Sequence, residues 1–214
     1  MIKIEVPEYG IFVSAGKVRG VEVKRSGEEV QRVLKDVLDE MSYDLKTLKD
    51  NPIIRAFRNF YWKIGIDPTK QRPSSEALVR RALRGKFPLI NNVVDAGNIA
   101  SLETLIPIGL YDLDEIRGEL EMRIARRDVF HPIGGGEEIL EGQIVLADEE
   151  KVLHVYPYRD SRETMIKQET KNVLVVSCGV PGVGRKLVLD ACKKAASYIL
   201  MFAGGEGGDC TLTP

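Results

Sequence analysis

The densest run of polar and aromatic side chains in this 214-residue chain extends from Tyr156 to Thr164. Within it, Arg159 can hold a carboxylate or a phosphate through two parallel hydrogen bonds. Asp160 can orient a water molecule or an ammonium group, and Tyr158 and Ser161 add hydroxyl groups beside it. A hairpin turn with solvated charges has a similar composition. Both interpretations stay open, and the functional one predicts Arg159 and Asp160 as catalytic residues, with Tyr158 and Ser161 binding a ligand.

A second polar cluster contains Asn91, Asn92 and Asn98 around a predicted helix start at Asp95. Buried amide groups must find hydrogen-bond partners, so these asparagines either fix a loop or bind a polar ligand. Residue chemistry alone favours the loop-fixing role, with Asp95 as the N-cap. The alternative predicts Asn91, Asn92 and Asn98 as ligand-binding residues.

The chain contains two histidines, the usual acid–base residues near neutral pH, at positions 131 and 154. His154 alternates with Leu153 and Val155, so it either lines a pocket, as a ligand-binding residue, or faces solvent. The glycine-rich run 179–186 has the strand-to-helix context of a phosphate loop, but Arg185 stands where that motif requires Lys. This spacing disfavours nucleotide triphosphatase chemistry. No zinc, other metal, disulfide framework or cofactor is expected from the widely spaced cysteines, which are Cys178, Cys192 and Cys210.

Positive charge is concentrated between Arg55 and Lys86, where the net charge is +7, whereas the rest of the chain carries −8. Basic residues interleaved with aromatic ones can form a surface that binds phosphates and stacks bases. Two amphipathic helices with the aromatic residues in the core would produce the same composition, and this interpretation is favoured. The RNA-binding alternative rests on Arg72, Arg80, Arg81, Arg84 and Lys86.

Hydrophobic periodicity predicts helices in the first half of the chain and mainly strands between residues 113 and 176, which favours an α+β fold. A final helix is expected over about 183–202, followed by a frayed glycine-rich tail from Gly204. The predicted helices before it cover about 28–41, 52–63, 74–85 and 95–105. The predicted strands cover 1–6, about 11–25, 119–125, 143–146, 152–156 and 173–176.

One family resemblance rests on Ile90-Asn91-Asn92-Val93-Val94-Asp95 with Asn98, Leu102-Glu103, Pro107 and Tyr111-Asp112-Leu113-Asp114. This pattern resembles the start of the editing domain, also called the B3/4 domain, of the phenylalanyl-tRNA synthetase beta subunit. The resemblance continues through residues 118–125, 142–148 and 170–174 and covers about 78–202. Residues 67–78 look like free-standing relatives of that domain.

The resemblance implies a three-layer α+β unit that contains a β-sandwich of unusual topology with flanking helices. It also implies a single domain over 1–214 with an N-terminal strand and helix extension over 1–65. In the synthetase, the domain hydrolyses tyrosine wrongly esterified to the phenylalanine tRNA. The family's editing histidine aligns with Gly109, and its editing glutamate aligns with Val176. The glycine pair that packs against the misplaced amino acid is replaced near Arg159-Asp160-Ser161.

Two functional hypotheses follow. The chain is either a stand-alone hydrolase that removes a wrongly attached amino acid from tRNA, or a non-catalytic module that binds RNA or an amino acid. A small-molecule enzyme unrelated to RNA is a weaker third alternative. The expected partners are tRNA, aminoacyl-tRNA or a free amino acid. No apolar run approaches the length of a membrane span, no signal peptide is evident, and a cytoplasmic location is expected.

Overall fold

The computed structural model of the protein describes residues 2–213, which form five α-helices and two β-sheets. The helices are α1 (Glu28–Glu40), α2 (Pro52–Lys63), α3 (Ser74–Ala82), α4 (Asn92–Thr104) and α5 (Arg185–Ala203). The strands are β1 (Ile2–Ile4), β2 (Phe12–Arg19), β3 (Ile108–Asp112), β4 (Leu120–Phe130), β5 (Glu138–Ala147), β6 (Val152–Val155), β7 (Arg159–Asp160), β8 (Asn172–Gly179) and β9 (Glu206–Leu212). No helix within residues 2–213 combines the length and the apolar character that crossing a membrane requires.

The five-stranded sheet has the order β1-β4-β5-β6-β7, and the four-stranded sheet has the order β3-β8-β2-β9. All neighbouring strands are antiparallel except β1 and β4, which are parallel. Because β2 lies between β8 and β9, the segment 1–65 contributes an internal strand of one sheet as well as β1 of the other.

Alternation along β8 divides the interior into two layers. Val173 and Val175 belong to the cluster that packs the four-stranded sheet against α1, α3, α4 and α5. Leu174, Val176 and Cys178 belong to the cluster between the two sheets, which α2 also joins. The order of layers is therefore helices, four-stranded sheet, five-stranded sheet, and the expectation of an α+β fold is confirmed.

The glycine-rich segment after α5 differs from the expected frayed tail. Residues Glu206–Leu212 form β9, an edge strand that pairs with β2 from Ser14 to Arg19. Gly205 and Gly207 have φ values of 94° and 93°, and the β2 backbone approaches both of them closely. Because glycine has no side chain, the backbone of this segment can approach β2 closely, and these glycines therefore allow β9 to pair with β2.

Candidate functional site

Three side chains from three strands meet where the two sheets approach each other. Tyr111 of β3 donates a hydrogen bond from its hydroxyl to Asp160 Oδ1 of β7 over 2.9 Å. His154 Nδ1 of β6 lies 2.8 Å from the same oxygen. An ionised carboxylate only accepts hydrogen bonds, so His154 donates through Nδ1–H. Asp160 therefore links the edge strands of both sheets.

Strand register explains why these groups meet. Asp160 is the direct partner of His154 in the β6–β7 pair, so both side chains lie on the same face. That face looks into the inter-sheet cluster, because His154 in turn pairs with Leu146, a member of this cluster. The imidazole is 7% exposed, so His154 does not face solvent, and its role as a ligand-binding residue stays a prediction. Its Nε2 atom is buried without a hydrogen-bond partner among residues 2–213.

Burial shapes the electrostatics of the cluster. Burial raises the pKa of Tyr111 well above its usual value, and the negative charge of Asp160 raises it further. The phenol therefore stays protonated and remains a donor to Asp160. The Asp160 side chain is 35% exposed, and its Oδ2 atom has no hydrogen-bond partner within the described part of the chain.

Asp160 also lines a cavity of about 200 Å³ between α4, β3 and β7. Asn98 of α4 lines the same cavity, and its amide makes no hydrogen bond within residues 2–213. Among the described residues that line the cavity, these two supply the only polar side chains. The other lining residues are apolar or glycine: Ile90, Val94, Gly97, Ile108, Leu110, Ile133, Met165 and Ile166.

The helix α4 reaches this wall because Gly97 faces β3. A Cβ atom at Gly97 would lie 2.7 Å from Leu110 Cδ1, so a side chain at this position would displace the Leu110 side chain from the wall of the cavity. Several rim residues are exposed despite being apolar, namely Ile90 at 60%, Ile133 at 55% and Met165 at 36%. The cavity thus has an apolar mouth and a polar pair in its wall.

The remaining asparagines of the predicted site have structural roles. Asn91, rather than Asp95, is the N-cap of α4, since its Oδ1 accepts from the backbone N–H groups of Val93 and Val94 at 3.1 and 2.8 Å. Asn92 is buried and makes three hydrogen bonds to backbone groups of two distant segments. Of the three predicted asparagines, Asn98 alone lines the cavity beside Asp160.

The residues next to Asp160 in the sequence make contacts outside this cavity. The Arg159 guanidinium forms a two-point ion pair with Glu138 at 2.8 and 2.7 Å and lies 5.1 Å from the centre of the Phe130 ring. The two-point carboxylate contact expected of Arg159 is thus made to Glu138 within the chain, and a catalytic role of Arg159 stays a prediction. Ser161 is buried, donates to the His131 carbonyl and caps a short turn. Tyr158 lines a separate cavity.

The basic segment is partly a free surface. Arg72, Arg81, Arg84 and Lys86 are exposed and make no ion pair within residues 2–213. Arg80 differs, because its side chain is 16% exposed and binds the fully buried Glu76 at 2.8 Å. Four of the five predicted RNA-binding residues are therefore available to a ligand, and Arg80 is a structural residue.

The aromatic residues of this segment are mainly core residues. Phe57, Phe60 and Tyr61 are at most 3% exposed and pack between the sheets, which agrees with the amphipathic interpretation. Trp62 differs, since it is 58% exposed on the solvent face of α2 that also carries Arg55.

The two positions that the resemblance assigns to editing residues face each other in the structure. Gly109 of β3 is the direct partner of Val176 of β8. A Cβ atom at Gly109 would lie 2.1 Å from the Tyr111 hydroxyl oxygen. The Tyr111 ring therefore occupies the space that a histidine at position 109 would need. Sequence analysis did not identify Tyr111 as a site residue, because its contact with Asp160 joins residues 49 positions apart and leaves no local signal.

Comparisons with known proteins agree with the resemblance. The model of the B3/4 domain family matches residues 56–204. The phenylalanine–tRNA ligase beta subunit of Aquifex aeolicus is 34% identical over 119 residues, which is 55% of this chain and 15% of the relative. The corresponding subunit of Methylococcus capsulatus is 28% identical over 175 residues, which is 69% of this chain and 22% of the relative.

A solved structure shows the same fold. An N-terminal fragment of the phenylalanyl-tRNA synthetase beta subunit from Pyrococcus horikoshii covers 100% of this chain with a TM-score of 0.53 and 15% sequence identity. The match spans 56% of that fragment, and the first relatives are matched over only 11% to 21% of their length. Because the family model matches well over half of the sequence, this chain belongs to the B3/4 domain family.

Proposed function

We propose that the chain acts on tRNA and removes an attached amino acid by hydrolysis, with the aminoacyl group bound in the cavity beside Asp160. The observation that carries this proposal is the wall composition, with one carboxylate and one amide in an otherwise apolar cavity. An aminoacyl ester presents an ammonium group, a carbonyl oxygen and a side chain. Asp160, Asn98 and the apolar wall match these three groups in turn.

The chemistry follows from the free atoms. Asp160 Oδ2 accepts from the α-ammonium group, while Tyr111 and His154 hold the carboxylate in place through Oδ1. The Asn98 amide donates to the ester carbonyl oxygen and stabilises the negative charge that develops when water attacks the carbonyl carbon. The ester C–O bond then breaks, a proton of the attacking water passes to the departing tRNA oxygen, and the tRNA hydroxyl and the free amino acid leave.

The exposed cations lie close to this cavity along the chain. Lys86 precedes the rim residue Ile90 by four positions, so their Cα atoms are at most about 14 Å apart. Arg81 and Arg84 precede Lys86 on α3 and the turn after it. A phosphate backbone bound by these cations can therefore deliver a terminal ester to the cavity.

A second candidate function is binding of aminoacyl-tRNA without turnover. The observation that favours it is the apolar pair Gly109 and Val176, which offers no acid or base at the positions that align with the family's editing residues. Under this alternative, Asp160 and Asn98 recognise the aminoacyl group, and the ester stays intact.

The test combines deacylation of mischarged tRNA with a gel shift at about 50 and 200 mM salt, a range over which phosphate-dominated binding weakens strongly. Asp160→Asn and Asn98→Ala should each lower the deacylation rate at least about tenfold, while binding of uncharged tRNA is retained. Asp190→Asn is the matched control, because Asp190 is a carboxylate on α5 that pairs with Lys186 and does not line the cavity.

Four outcomes decide between the candidates. Salt-sensitive binding with turnover that depends on Asp160 supports the hydrolase. Binding that weakens in Asp160→Asn without any turnover supports the binding module. Absence of binding at both salt concentrations contradicts the assignment to tRNA, and equal loss in Asp190→Asn contradicts the assignment of the site.

A further inference from the structure

We infer that a cavity at one end of the inter-sheet core, beside β2 and β9, binds a free amino acid with an apolar side chain. Its volume is about 460 Å³, which lies within the range of small-molecule sites. It shares no lining residue with the cavity beside Asp160, so the inference does not depend on the proposed hydrolysis. Its support comes from two opposite charges that face an apolar wall.

The apolar wall is an open end of the core between the two sheets. Leu113, Ile116 and Leu120 line the cavity and pack against the inter-sheet cluster, yet each of them is only partly buried. Leu174 of β8, a buried member of that cluster, also lines the cavity. An apolar group placed against these side chains completes their burial, which is favourable in proportion to the area removed from water.

A bulge in the β2–β9 pair brings a cation and a carboxylate to the same cavity. The pairing shifts register between Gly16 and Val18, so Lys17 lies opposite the two-residue step Gly208–Asp209. Lys17 is also the direct partner of Leu174, which places both side chains on the face directed at the inter-sheet core. The side chains of Lys17 and Asp209 are exposed where they line the cavity.

These two charged groups have no partner in the structure. Neither side chain makes an ion pair or a hydrogen bond within residues 2–213, although neighbouring strands lie only about 4.8 Å apart. Glu119 also lines the cavity, but it lies near Lys3, whose pKa is raised by Glu5 first and by Glu119 to a smaller extent. Lys17 and Asp209 therefore supply one unpaired charge of each sign.

An amino acid carries the complementary charges on a single carbon atom. Its carboxylate accepts from the Lys17 ammonium group, and its own ammonium group donates to the Asp209 carboxylate. Thr211 adds a hydroxyl group on the same face, because it is the direct partner of Ala15, which packs against the inter-sheet cluster. The side chain of the ligand then contacts the apolar wall. A simple carboxylic acid would leave Asp209 unpaired, and a simple amine would leave Lys17 unpaired.

The experiment titrates isotope-labelled protein with free leucine and follows the amide chemical shifts by NMR. Three probes each lack one feature of the ligand: N-acetylleucine lacks the ammonium group, leucinamide lacks the carboxylate, and glycine lacks the side chain. Leucine should shift the amide signals of residues 15–17 and 209–211. It should also bind at least about tenfold more tightly than any of the three probes, because each probe loses a charged or apolar contact.

Variants assign the two charges separately. Lys17→Met should lower the affinity for leucine at least about tenfold and leave that for leucinamide unchanged. Asp209→Asn should lower the affinity for leucine similarly and leave that for N-acetylleucine unchanged. The matched controls are Lys49→Met and Asp36→Asn, because both residues are exposed and neither lines the cavity. Both controls should bind leucine like the wild-type protein.

Several results would overturn the inference. Equal affinities for leucine and glycine would remove the apolar contact, and equal affinities for leucine and N-acetylleucine would remove the role of Asp209. Shifts confined to the surroundings of Asn98 and Asp160 would place the amino acid in the other cavity. Absence of shifts with every probe would leave Lys17 and Asp209 as a solvated pair on neighbouring strands. None of these results bears on deacylation of tRNA, so the inference and the proposed function can fail separately.

Discussion

Replacement of two adjacent arginines on α3 separates a structural cation from a ligand-binding one. Arg80 donates from Nε to Glu76 and from Nη1 to the Leu45 carbonyl, both over 2.8 Å. Glu76 is fully buried and is also bound by Arg58 at 2.9 Å. Arg81, the next residue, is exposed and makes no ion pair among residues 2–213. We expect Arg80→Ala to destabilise the fold and Arg81→Ala to weaken RNA binding.

The magnitude follows from what each substitution leaves behind. Removal of one partner from a buried ion pair typically costs about 3–5 kcal/mol, because the other charge stays buried. Since Arg58 continues to compensate Glu76, we expect the loss for Arg80→Ala to lie near the lower bound, about 3 kcal/mol. Arg81→Ala removes no buried contact and should change the free energy of unfolding by less than about 0.5 kcal/mol.

Urea denaturation followed by circular dichroism measures the first effect. With a denaturant dependence of about 2 kcal/mol per molar urea, Arg80→Ala should lower the midpoint by about 1.5 M. The salt dependence of tRNA binding measures the second effect, because removal of one phosphate contact lowers the slope of log K against log salt by about 1. Equal stabilities of the two variants, or a reduced slope for Arg80→Ala alone, would refute the division of roles.

Three further substitutions test other parts of the structure. Asn92→Ala removes three hydrogen bonds to backbone groups at a buried position, and urea unfolding should show a loss of about 3 kcal/mol. A hydrogen bond to Glu163 and, to a smaller extent, one to Glu137 raise the pKa of His131 above 6.5. The stabilisation by this ion pair is therefore fully present below about pH 6.5 and is lost as pH rises through the raised pKa, so urea midpoints of His131→Gln should depend less on pH in this range. Gly205→Ala would place a Cβ atom 2.3 Å from the Arg19 carbonyl oxygen at a φ of 94°, so thermal unfolding should show a loss of about 1–3 kcal/mol.

Local signals in the sequence predicted most helices well. The pattern after Asn51 predicted a helix over 52–63, and α2 has these bounds, because Pro52 suits a first turn and the Asn51 side chain accepts from the Ile53 N–H group. The strand-rich region was also expected, although β4 and β5 extend several residues further than predicted. These elements are specified by neighbouring residues, which is why periodicity detects them.

Interactions between distant residues account for the errors. The glycines after α5 are typical of a flexible tail, and only their pairing with β2, almost 200 residues earlier, makes them a strand. Arg80 lies four residues after Glu76 on α3 and can pair with it by helical spacing, but the burial of this pair depends on Arg58 and on the Leu45 carbonyl, which are distant in the sequence. Sequence analysis identified only part of the candidate site, because some of its contacts join residues that are distant in the sequence. Asp160 and Asn98 stood out by residue type, whereas Tyr111 became relevant only through its place in the three-dimensional structure.

The geometry around Tyr111 links these observations to function. A histidine at position 109 and the present position of the Tyr111 ring exclude each other, because one added carbon at Gly109 would already clash with the phenol oxygen. The phenol therefore occupies the inter-sheet space beside position 109, and it directs its hydrogen bond to Asp160. Asp160 in turn lines the cavity on the opposite side of β3, beside Asn98. Two polar side chains with free atoms, those of Asp160 and Asn98, thus lie together between α4 and β3, whereas the aligned positions 109 and 176 carry no polar side chain. This placement is the reason why the cavity, and not the aligned positions 109 and 176, is the site to test for activity.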